Sequence, residues 1–357
     1  MKKLKKIAAL VLVAAMMLSL AACGKSSGGD KAESSGDGSS AAALEGSYSF
    51  IVGSSSTQGT TITKTFEHAQ ELASQESGGK LNMTYYGASQ LGTDGELLQS
   101  CLAGDVPIVV MTTASLTKAV PELALFDMHC AFSSMDTLTA LMTDPDFGPK
   151  IQSWFEKAGL KLIAWESQSS KLLASTKEIH DISDFAGYDM RTLDNKYHMA
   201  FWRAVGANTV QIDASELYLS VQQGLIDGIE MNMASILSRQ LTEVCDYVVE
   251  TMDLPHMSVA VMNLDAYNSM TENDRKWFDD FMSGINDYFN QTGKEDNENG
   301  WTTVEENGAT AIRFNQTLFD QMQAIAKDSS WALVRQDLGD ELVDSYLDAI
   351  NNIEGQK

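Results

Sequence analysis

The chain has 357 residues, of which 49 are acidic and 25 are basic, and its formal net charge at pH 7 is -24. This excess of negative charge argues against nucleic acid and anionic lipid surfaces as partners, because both repel a polyanion. The roughly 310 residues that follow a low-complexity N-terminal part are long for a single hydrophobic core, so two domains are expected.

The N-terminal residues have the parts of a secretory signal peptide. Residues 2–6 contain four lysines, and the apolar run IAALVLVAAMMLSL follows them. The run is too short to span a membrane, and polar sequence comes soon after it. The segment LAAC resembles the lipobox of bacterial lipoproteins, which implies removal of residues 1–22 and lipidation of Cys23. Such an anchor would hold the exported protein on the outer face of the bacterial cytoplasmic membrane without crossing it.

Residues 23–45 are predicted to form a flexible tether, because GKSSGGDKAESSGDGSS has no large apolar side chain to bury. Four of the 25 basic residues lie in the signal peptide, so the rest of the chain has 21 basic and 49 acidic residues, a net charge of -28. Any anion-binding site must therefore be a local exception to the charge of the mature chain.

From residue 46 onward the hydrophobic pattern alternates between strands and helices. Strands are predicted in SYSFIVGSS, KLNMTYYG, VPIVVMTT and LKLIAWES, and helices in TTITKTFEHAQELASQESGG and TDGELLQSCLAG. Ile62, Phe66 and Ala69 recur at helical spacing, and Gly78 is expected to end that helix. This order predicts an α/β fold with helices on both faces of a mainly parallel sheet.

The second half of the chain continues this alternation. GYDMRT is predicted to be a strand, and NKYHMAFWRAVGA a helix that ends at Gly206 and buries Tyr197, Phe201, Trp202 and Val205. DASELYLSVQQGLIDG is predicted to be a helix that begins in a capping box of Asp213 and Glu216. Its buried face is expected to contain Leu217, Val221 and Leu225.

Long helices are predicted to dominate after Thr271. Thr271 and Asp274 have the spacing of a helix cap. The helix that they begin is expected to bury Trp277, Phe281, Ile285 and Tyr288.

Short polar segments follow several of the predicted strands. In α/β folds such loops form the ligand crevice, because the carboxyl ends of the strands meet there. The loops expected at the crevice are Ser54–Thr60, Thr112–Ser115, Ser167–Lys171, Arg191–Asp194 and Met231–Asn232.

Cysteine and histidine spacing indicates no metal, cofactor or catalytic site. Cys101, Cys130 and Cys245 are far apart, and the sequence contains no CxxC, HExxH, GxSxG or P-loop motif. The sequence therefore predicts a protein without catalytic residues, metal or cofactor. Two alternatives stand for Cys101 and Cys130: a disulfide, which export permits, or two buried thiols.

Two blocks carry a resemblance to a known family. GGKLNMTYYGASQLGTDGELLQSCLAGDVPIVV and DISDFAGYDMRTLDNKYHMAFWRAVGANTVQIDASELYLSVQQGLIDGIE resemble the solute-binding proteins of TRAP transporters, the second block more specifically. The similarity extends from about residue 48 to residue 350. These extracytoplasmic receptors pass organic acids to a membrane permease.

The resemblance implies a two-domain, periplasmic-binding-protein-like fold with a ligand cleft between the domains and long C-terminal helices. Residues 46–168 and 257–296 are expected to form the first domain, and residues 169–256 and 297–350 the second.

Arg191 matches the arginine that pairs with the substrate carboxylate in this family, and a guanidinium can meet a carboxylate with two parallel hydrogen bonds. Lys171 stands where many members have a second arginine. The alternatives for Lys171 are a ligand contact and a solvated lysine at a strand end.

Further ligand contacts are expected around these two cations. Met231 replaces a frequent asparagine, which suggests a less polar ligand or a second anchor elsewhere, and Asn232 is placed to compensate. Asp194 is expected to orient Arg191, to bind a hydroxyl or amine group of the ligand, or to form a turn. The remaining candidates are the polar residues Ser54, Gln58, Thr112 and Gln168.

The sequence thus favours a lipid-anchored receptor that binds a small organic acid and delivers it to a TRAP permease, and not an enzyme. The alternatives are a lipoprotein of an ABC importer, a receptor that presents its ligand to a sensor protein, and an exported enzyme. The identity of the acid is left open between dicarboxylates, keto acids, sugar acids and aromatic acids.

We expect Cys23→Ala to abolish lipid attachment and to leave an uncleaved or soluble protein, because the thiol that accepts the lipid is gone. Metabolic labelling with a fatty-acid analogue measures this. Label that remains in the variant would contradict the lipobox interpretation.

Overall fold

The computed structural model describes residues 44–355, so the signal peptide, Cys23 and most of the predicted tether lie outside the described residues. None of the helices in this range combines the length and the apolar character that a membrane span requires. The strands are β1 Tyr48–Gly53, β2 Leu81–Tyr86, β3 Ile108–Thr112, β4 Leu160–Glu166, β5 Leu172–Ser175, β6 Asp189–Thr192, β7 Asn208–Gln211, β8 Gly228–Met231, β9 Tyr247–Val249, β10 Ser258–Asn263 and β11 Thr310–Ile312.

Helices connect these strands and follow them. The α-helices are α1 Thr61–Glu76, α2 Asp94–Ala103, α3 Thr113–Leu116, α4 Met135–Met142, α5 Gly148–Lys157, α6 Lys196–Val205, α7 Leu217–Gln222, α8 Met233–Ser238, α9 Leu264–Asn268, α10 Glu272–Glu306, α11 Gln316–Asp328, α12 Ser330–Leu338 and α13 Asp340–Glu354. Short 3-10 helices occur at Pro121–Asp127, Ile182–Phe185, Ala214–Glu216 and Leu241–Glu243.

The strands form two sheets, which define a first and a second lobe. The sheet of the first lobe has the order β2-β1-β3-β10-β4, and that of the second lobe has the order β11-β9-β5-β8-β6-β7. Apolar clusters cover both faces of each sheet. The α/β class and the two-lobed architecture are therefore as predicted.

Both sheets are mixed, which corrects the prediction of a mainly parallel sheet. β1 runs parallel to β2 and β3, but β10 is antiparallel to β3 and β4. In the second lobe β6 is parallel to β7 and β8, whereas β5 is antiparallel to β8 and β9. The chain enters β5 and β10 directly from the other lobe, so these strands run against neighbours that are joined through helices.

Two connecting segments and one long helix join the lobes. The chain leaves the first lobe after β4 and returns after β9. The segments lie side by side, since Ser170 pairs with Pro255 and the amide of His256 donates to the carbonyl oxygen of Ser169 at 2.8 Å. The helix α10 then packs against α1 and β4 of the first lobe and against α8 and β11 of the second.

The predicted domain bounds stay a prediction, but the packing of α13 bears on them. They assign residues 297–350 to the second domain. Val343, Tyr346 and Ile350 instead share a hydrophobic cluster with helices α4 and α5 of the first lobe. The sequence shows that α13 has an apolar face, but periodicity does not reveal which lobe covers that face.

Local signals predict most helix ends correctly. Gly206 has a φ of 111° at the end of α6, and Thr271 accepts a hydrogen bond from the amide of Asp274 at the start of α10. Asp213 is an exception, because it makes no capping bond and a 3-10 turn precedes α7. Since α7 ends at Gln222, Leu225 is 57% exposed rather than buried.

The buried face of α10 is displaced from the predicted one. Phe281 and Ile285 are buried as expected. Phe278 and Phe289 complete this face, while Trp277 and Tyr288 are only half-buried.

Glu166 ends β4 at the point where the chain leaves the first lobe. Its side chain is buried, and Oε1 accepts hydrogen bonds from the amides of Gln168 and Ser169, both at 2.7 Å. Gly293 of α10 packs directly on it, since a Cβ there would lie 2.3 Å from Oε1. Burial raises the pKa of the Glu166 carboxyl to about 8. The group is therefore largely protonated at neutral pH.

We expect the free energy of unfolding to fall as the pH rises from about 5 to about 8. The unfolded chain loses the Glu166 proton near pH 4.5, whereas the folded chain holds it up to about pH 8. The stability linked to this proton is thus complete below the unfolded pKa and is lost as the pH rises through the folded pKa. The loss is up to about 1.4 kcal/mol per pH unit.

Glu166→Gln should remove most of this pH dependence, because the amide does not ionise. Urea unfolding at a series of pH values measures the slope, with the exposed Glu156→Gln as the control. Equal slopes in the wild type and Glu166→Gln would contradict the assignment.

Candidate functional site

A cavity of about 110 Å³ lies between the two lobes. This volume accommodates several water molecules or one small ligand. Each of the five loops that the sequence assigns to the crevice supplies at least one lining residue. The segment that returns to the first lobe contributes Pro255, His256 and Met257. The cavity therefore lies at the strand ends of both sheets.

Arg191 lines this cavity from β6. Its side chain is only 5% exposed, and its Nε donates to the carbonyl oxygen of Ile212 at 2.9 Å. Burial, followed by the like charge of Arg239, lowers the pKa of Arg191 to about 10. The guanidinium is still cationic at neutral pH. Within residues 44–355 no carboxylate forms an ion pair with it.

A second arginine, Arg239, lines the same cavity and was missed in the sequence. It follows α8, and its Nη1 donates to the carbonyl oxygen of Ala214 at 2.9 Å. Its Nε is buried and has no hydrogen-bond partner among the described residues. No motif or spacing in the sequence marks Arg239. It lies eight positions after β8, and the six-residue helix α8, which it follows, brings it back to the cavity.

The first lobe faces these cations with a carboxylate and hydroxyl groups. Ser115 donates to Oδ2 of Asp94 at 2.8 Å, and its Oγ lies 3.2 Å from Oγ1 of Thr112. Oδ1 of Asp94 is buried and has no partner in the described part of the chain. The cavity thus offers cationic donors on one wall and acceptors on the other. Asp94 was not predicted, because it also reads as an ordinary first-turn residue of α2.

Lys171 lies in a buried polar network beside the cavity and is not a solvated strand-end lysine. Its Nζ is 3.3 Å from Oε2 of Glu230 and 3.2 Å from Nδ1 of His198. Nε2 of His198 is 2.9 Å from Oδ1 of Asp127. An ammonium can only donate, so in this arrangement Nδ1 of His198 accepts from Lys171 and Nε2 donates to Asp127. Lys171 also lines the cavity, and these two contacts engage two of its three ammonium protons.

The ionisation of this network follows from burial and from the charge of Lys171. Burial acts to raise the pKa of Glu230, but the charge of Lys171 and a hydrogen bond from Asp253 lower it below its usual range. Burial and the neighbouring charge of Glu230 raise the pKa of Asp253. Burial, with Lys171, lowers the pKa of His256 to about 3, so this cavity residue is neutral.

The other predicted site residues divide into two groups. Thr112, Met231 and Asn232 line the cavity, although the side-chain oxygen of Asn232 already accepts a hydrogen bond from the amide of Ser235 at the start of α8. The remaining predicted residues do not line it, and their side chains are engaged elsewhere: Ser54 with the amide of Ser56, Gln58 with Glu67, Gln168 with Thr139, and Asp194 with Lys118 and Gln211.

Asp194 forms an ion pair between the lobes and is not one of the residues that line the cavity. Its carboxylate lies 3.0 Å from Nζ of Lys118, and both side chains are largely exposed. Such a pair contributes little stability. The role of Asp194 toward Arg191 stays a prediction.

The cysteines favour the second of the two alternatives. Cys101, Cys130 and Cys245 are free and buried. Cys101 belongs to an apolar cluster of the first lobe, and Cys130 to one of the second.

Comparison with known proteins gives one family. Residues 52–356 match the family described as bacterial extracellular solute-binding protein, family 7. A curated relative is the C4-dicarboxylate-binding periplasmic protein DctP of Rhodobacter capsulatus, which is 24% identical over 242 residues, 68% of this chain and 72% of the relative. An uncharacterized protein of Sinorhizobium fredii is 28% identical over 179 residues, 50% of this chain. The chain spans 33% of that protein, and it covers less than two thirds of the curated relatives that it matches first.

Solved structures have the same fold. The sugar acid binding protein DctPAm of Advenella mimigardefordensis, solved with galactonate, superposes with a TM-score of 0.80 at 18% identity. The match covers 86% of this chain and 99% of that one. At this identity the likeness shows the fold alone.

We expect Lys171→Met to lower the free energy of unfolding by about 3–5 kcal/mol, because it leaves the charge of Glu230 buried without its partner. Adding Glu230→Gln should recover much of this loss, since the unpaired charge is then removed. Urea unfolding measures both effects.

Lys177→Met is the matched control, because Lys177 also pairs with a carboxylate, that of Asp227, but is half exposed. It should cost less than about 1 kcal/mol. An equal cost for Lys171→Met and Lys177→Met would contradict a structural role for the buried pair.

Proposed function

Since the chain belongs to the bacterial extracellular solute-binding proteins of family 7, we propose that it binds a small organic acid in the cavity between its lobes and delivers this acid to a TRAP-type permease. Members of this family are receptors and not enzymes. In this proposal the carboxylate of the ligand pairs with Arg191, and a lipid on Cys23 holds the receptor at the outer face of the membrane.

The buried guanidinium of Arg191 carries the proposal. A charged group away from water is costly unless a partner compensates it. Arg191 has one carbonyl acceptor at its Nε, and no described carboxylate pairs with it. Its two terminal nitrogens have the geometry that receives a carboxylate with two parallel hydrogen bonds. A ligand carboxylate is the partner that best completes this environment.

Asp94 and Arg239 support a ligand with a second polar group. The buried Oδ1 of Asp94 accepts hydrogen bonds only, so it suits a hydroxyl group. Arg239 adds a second positive charge, which suits a further acceptor or a second carboxylate. Hydroxy acids, including sugar acids such as the galactonate bound by the protein of Advenella mimigardefordensis, and dicarboxylates have these features.

The lipid anchor is supported by the N-terminal part of the chain. The LAAC segment lies directly after a short apolar run, where a lipobox is expected. Residues 23–45 would provide the tether between the membrane and the lobes.

The ligand is to be found by thermal shift of the tag-free mature protein against organic acids. A ligand at 100 times its dissociation constant stabilises its receptor by about 2.7 kcal/mol. Turnover of a bound acid on prolonged incubation would point to an enzyme instead.

We expect Arg191→Ala to weaken binding of the identified acid by about 30-fold or more. Removing one partner of a desolvated ion pair costs roughly 2–5 kcal/mol, and about 1.4 kcal/mol corresponds to tenfold. Arg191→Lys should recover part of the affinity, because the charge is kept but the paired hydrogen bonds are not. Calorimetric titration measures the dissociation constants.

Arg203→Ala is the control, because Arg203 is an exposed arginine of the same lobe that contacts Thr209. It should bind like the wild type. Lys171→Ala should weaken binding less than Arg191→Ala. If Arg191→Ala melts cooperatively and still binds within a few-fold of the wild type, Arg191 is not the anchor.

A further inference from the structure

Three buried side chains from separate parts of the chain turn toward one another next to the polar network. They are His129, which follows a 3-10 helix of the first lobe, Glu230 of β8, and Asp253 of the segment that returns to the first lobe. One nitrogen or oxygen atom of each lies within 4.8 Å of those of the other two. The exposed fractions of the three residues are 0%, 7% and 1%.

Each of the three residues has one polar atom engaged and one without a partner. Nδ1 of His129 is 3.2 Å from Oγ of Ser330, Oε2 of Glu230 accepts from Lys171 and Trp202, and Oδ1 of Asp253 accepts from Thr251. Nε2 of His129 is buried and has no hydrogen-bond partner among the described residues, and Oε1 of Glu230 and Oδ2 of Asp253 have none there unless the two carboxyl groups share a proton.

This pattern is typical of metal ligands. In metal sites the second polar atom of a ligand is commonly held by a neighbouring group, which fixes the direction of the atom that binds the ion. The neighbouring groups here are Ser330 for His129, Thr251 for Asp253, and Lys171 with Trp202 for Glu230. When Nδ1 of His129 donates to Ser330, Nε2 carries the lone pair that a metal requires.

A proton alone does not satisfy the cluster. One proton can join the carboxyl groups of Glu230 and Asp253, but Nε2 of His129 then still lacks a partner. Asp127 adds a third carboxylate to the same network, whereas Lys171 is the ammonium in contact with it among the described residues. A divalent cation would provide the missing partner.

We propose that His129, Glu230 and Asp253 bind a divalent first-row metal ion, with Zn²⁺ as the best match. One imidazole nitrogen and two carboxylate oxygens form a set that zinc accepts, with a fourth position left for water. Zinc bonds of about 2.1 Å place tetrahedral ligand atoms about 3.4 Å apart. The distances between the ligand atoms must therefore shorten by up to about 1.4 Å. Ca²⁺ and Mg²⁺ fit less well, since they prefer oxygen ligands throughout.

The ion has a route to this cluster through the ligand cavity, because Glu230 lines the cavity as well. The metal site does not depend on the identity of the organic acid or on its binding. A metal ion would be a second class of ligand for the protein. Metal binding can be tested without a permease and without an organic acid.

The test is metal binding by tag-free protein that has been stripped with a chelator and dialysed against micromolar Zn²⁺. Elemental analysis should find one tightly held equivalent of zinc, and Co²⁺ in its place should give the visible absorption of a four-coordinate site. His129→Gln and Asp253→Asn should each weaken zinc binding by about 10-fold or more. Mg²⁺ should not compete at equal concentration.

His180→Gln is the matched control, because His180 also lies beside a carboxylate, that of Glu178, but at the surface. It should bind zinc like the wild type. Wild-type protein without bound zinc would overturn the proposal, as would His129→Gln and Asp253→Asn variants that bind zinc as tightly as the wild type. If one variant does not fold, the other variant and the Co²⁺ spectrum of the wild type decide the question.

Discussion

Arg191 places a positive charge in a cavity between two lobes, and none of the described carboxylates pairs with it. A folded chain tolerates such a charge only where the surrounding residues hold it and where a partner can reach it. The carbonyl of Ile212 orients the guanidinium, and its terminal nitrogens are left available to the cavity. In the proposed function the two-lobed architecture serves this constraint, because an ion pair enclosed between the lobes is shielded from water, whereas the same pair would be weak at an exposed surface.

The second lobe shows why Arg191, and not Lys171, is the unpaired cation. In the strand order β5-β8-β6, Lys171 lies just before β5, Glu230 is in β8, and Arg191 is in β6. Glu230 therefore stands between two cations, and its Oε2 is taken by Lys171 at 3.3 Å. Glu230 still acts on Arg191 from a distance, as its charge opposes the fall in the pKa of Arg191. One carboxylate thus pairs with the lysine, and the arginine has no carboxylate partner among the described residues.

Much of this fold could be predicted because its signals are local. The caps and glycines at Gly206 and Thr271 act within one helical turn, and the buried face of α6 follows from periodicity. The direction of β5 and β10 depends instead on how the chain passes between lobes, which no short stretch encodes. The same holds for α13, whose apolar face is covered by the first lobe although the chain reaches it from the second. Leu225 is exposed because tertiary structure ends α7 earlier than the hydrophobic pattern does.

The candidate site likewise has features that the sequence predicts and features that only the folded structure shows. Loops at strand ends could be placed at the cavity, because strand ends converge in any α/β sheet. The side chains of those loops that turn toward the cavity could not be predicted. Gln58 and Asp194 bond to neighbours outside the cavity, whereas Asp94 and Arg239 line it. The same limit applies to His129, Glu230 and Asp253, which are 101 and 23 positions apart along the chain, so their spacing does not reveal the cluster. Spacing rules find metal ligands that share one helix or loop. Ligands contributed by a loop, a strand and a crossing segment become visible only when their unpartnered atoms are located in the folded protein.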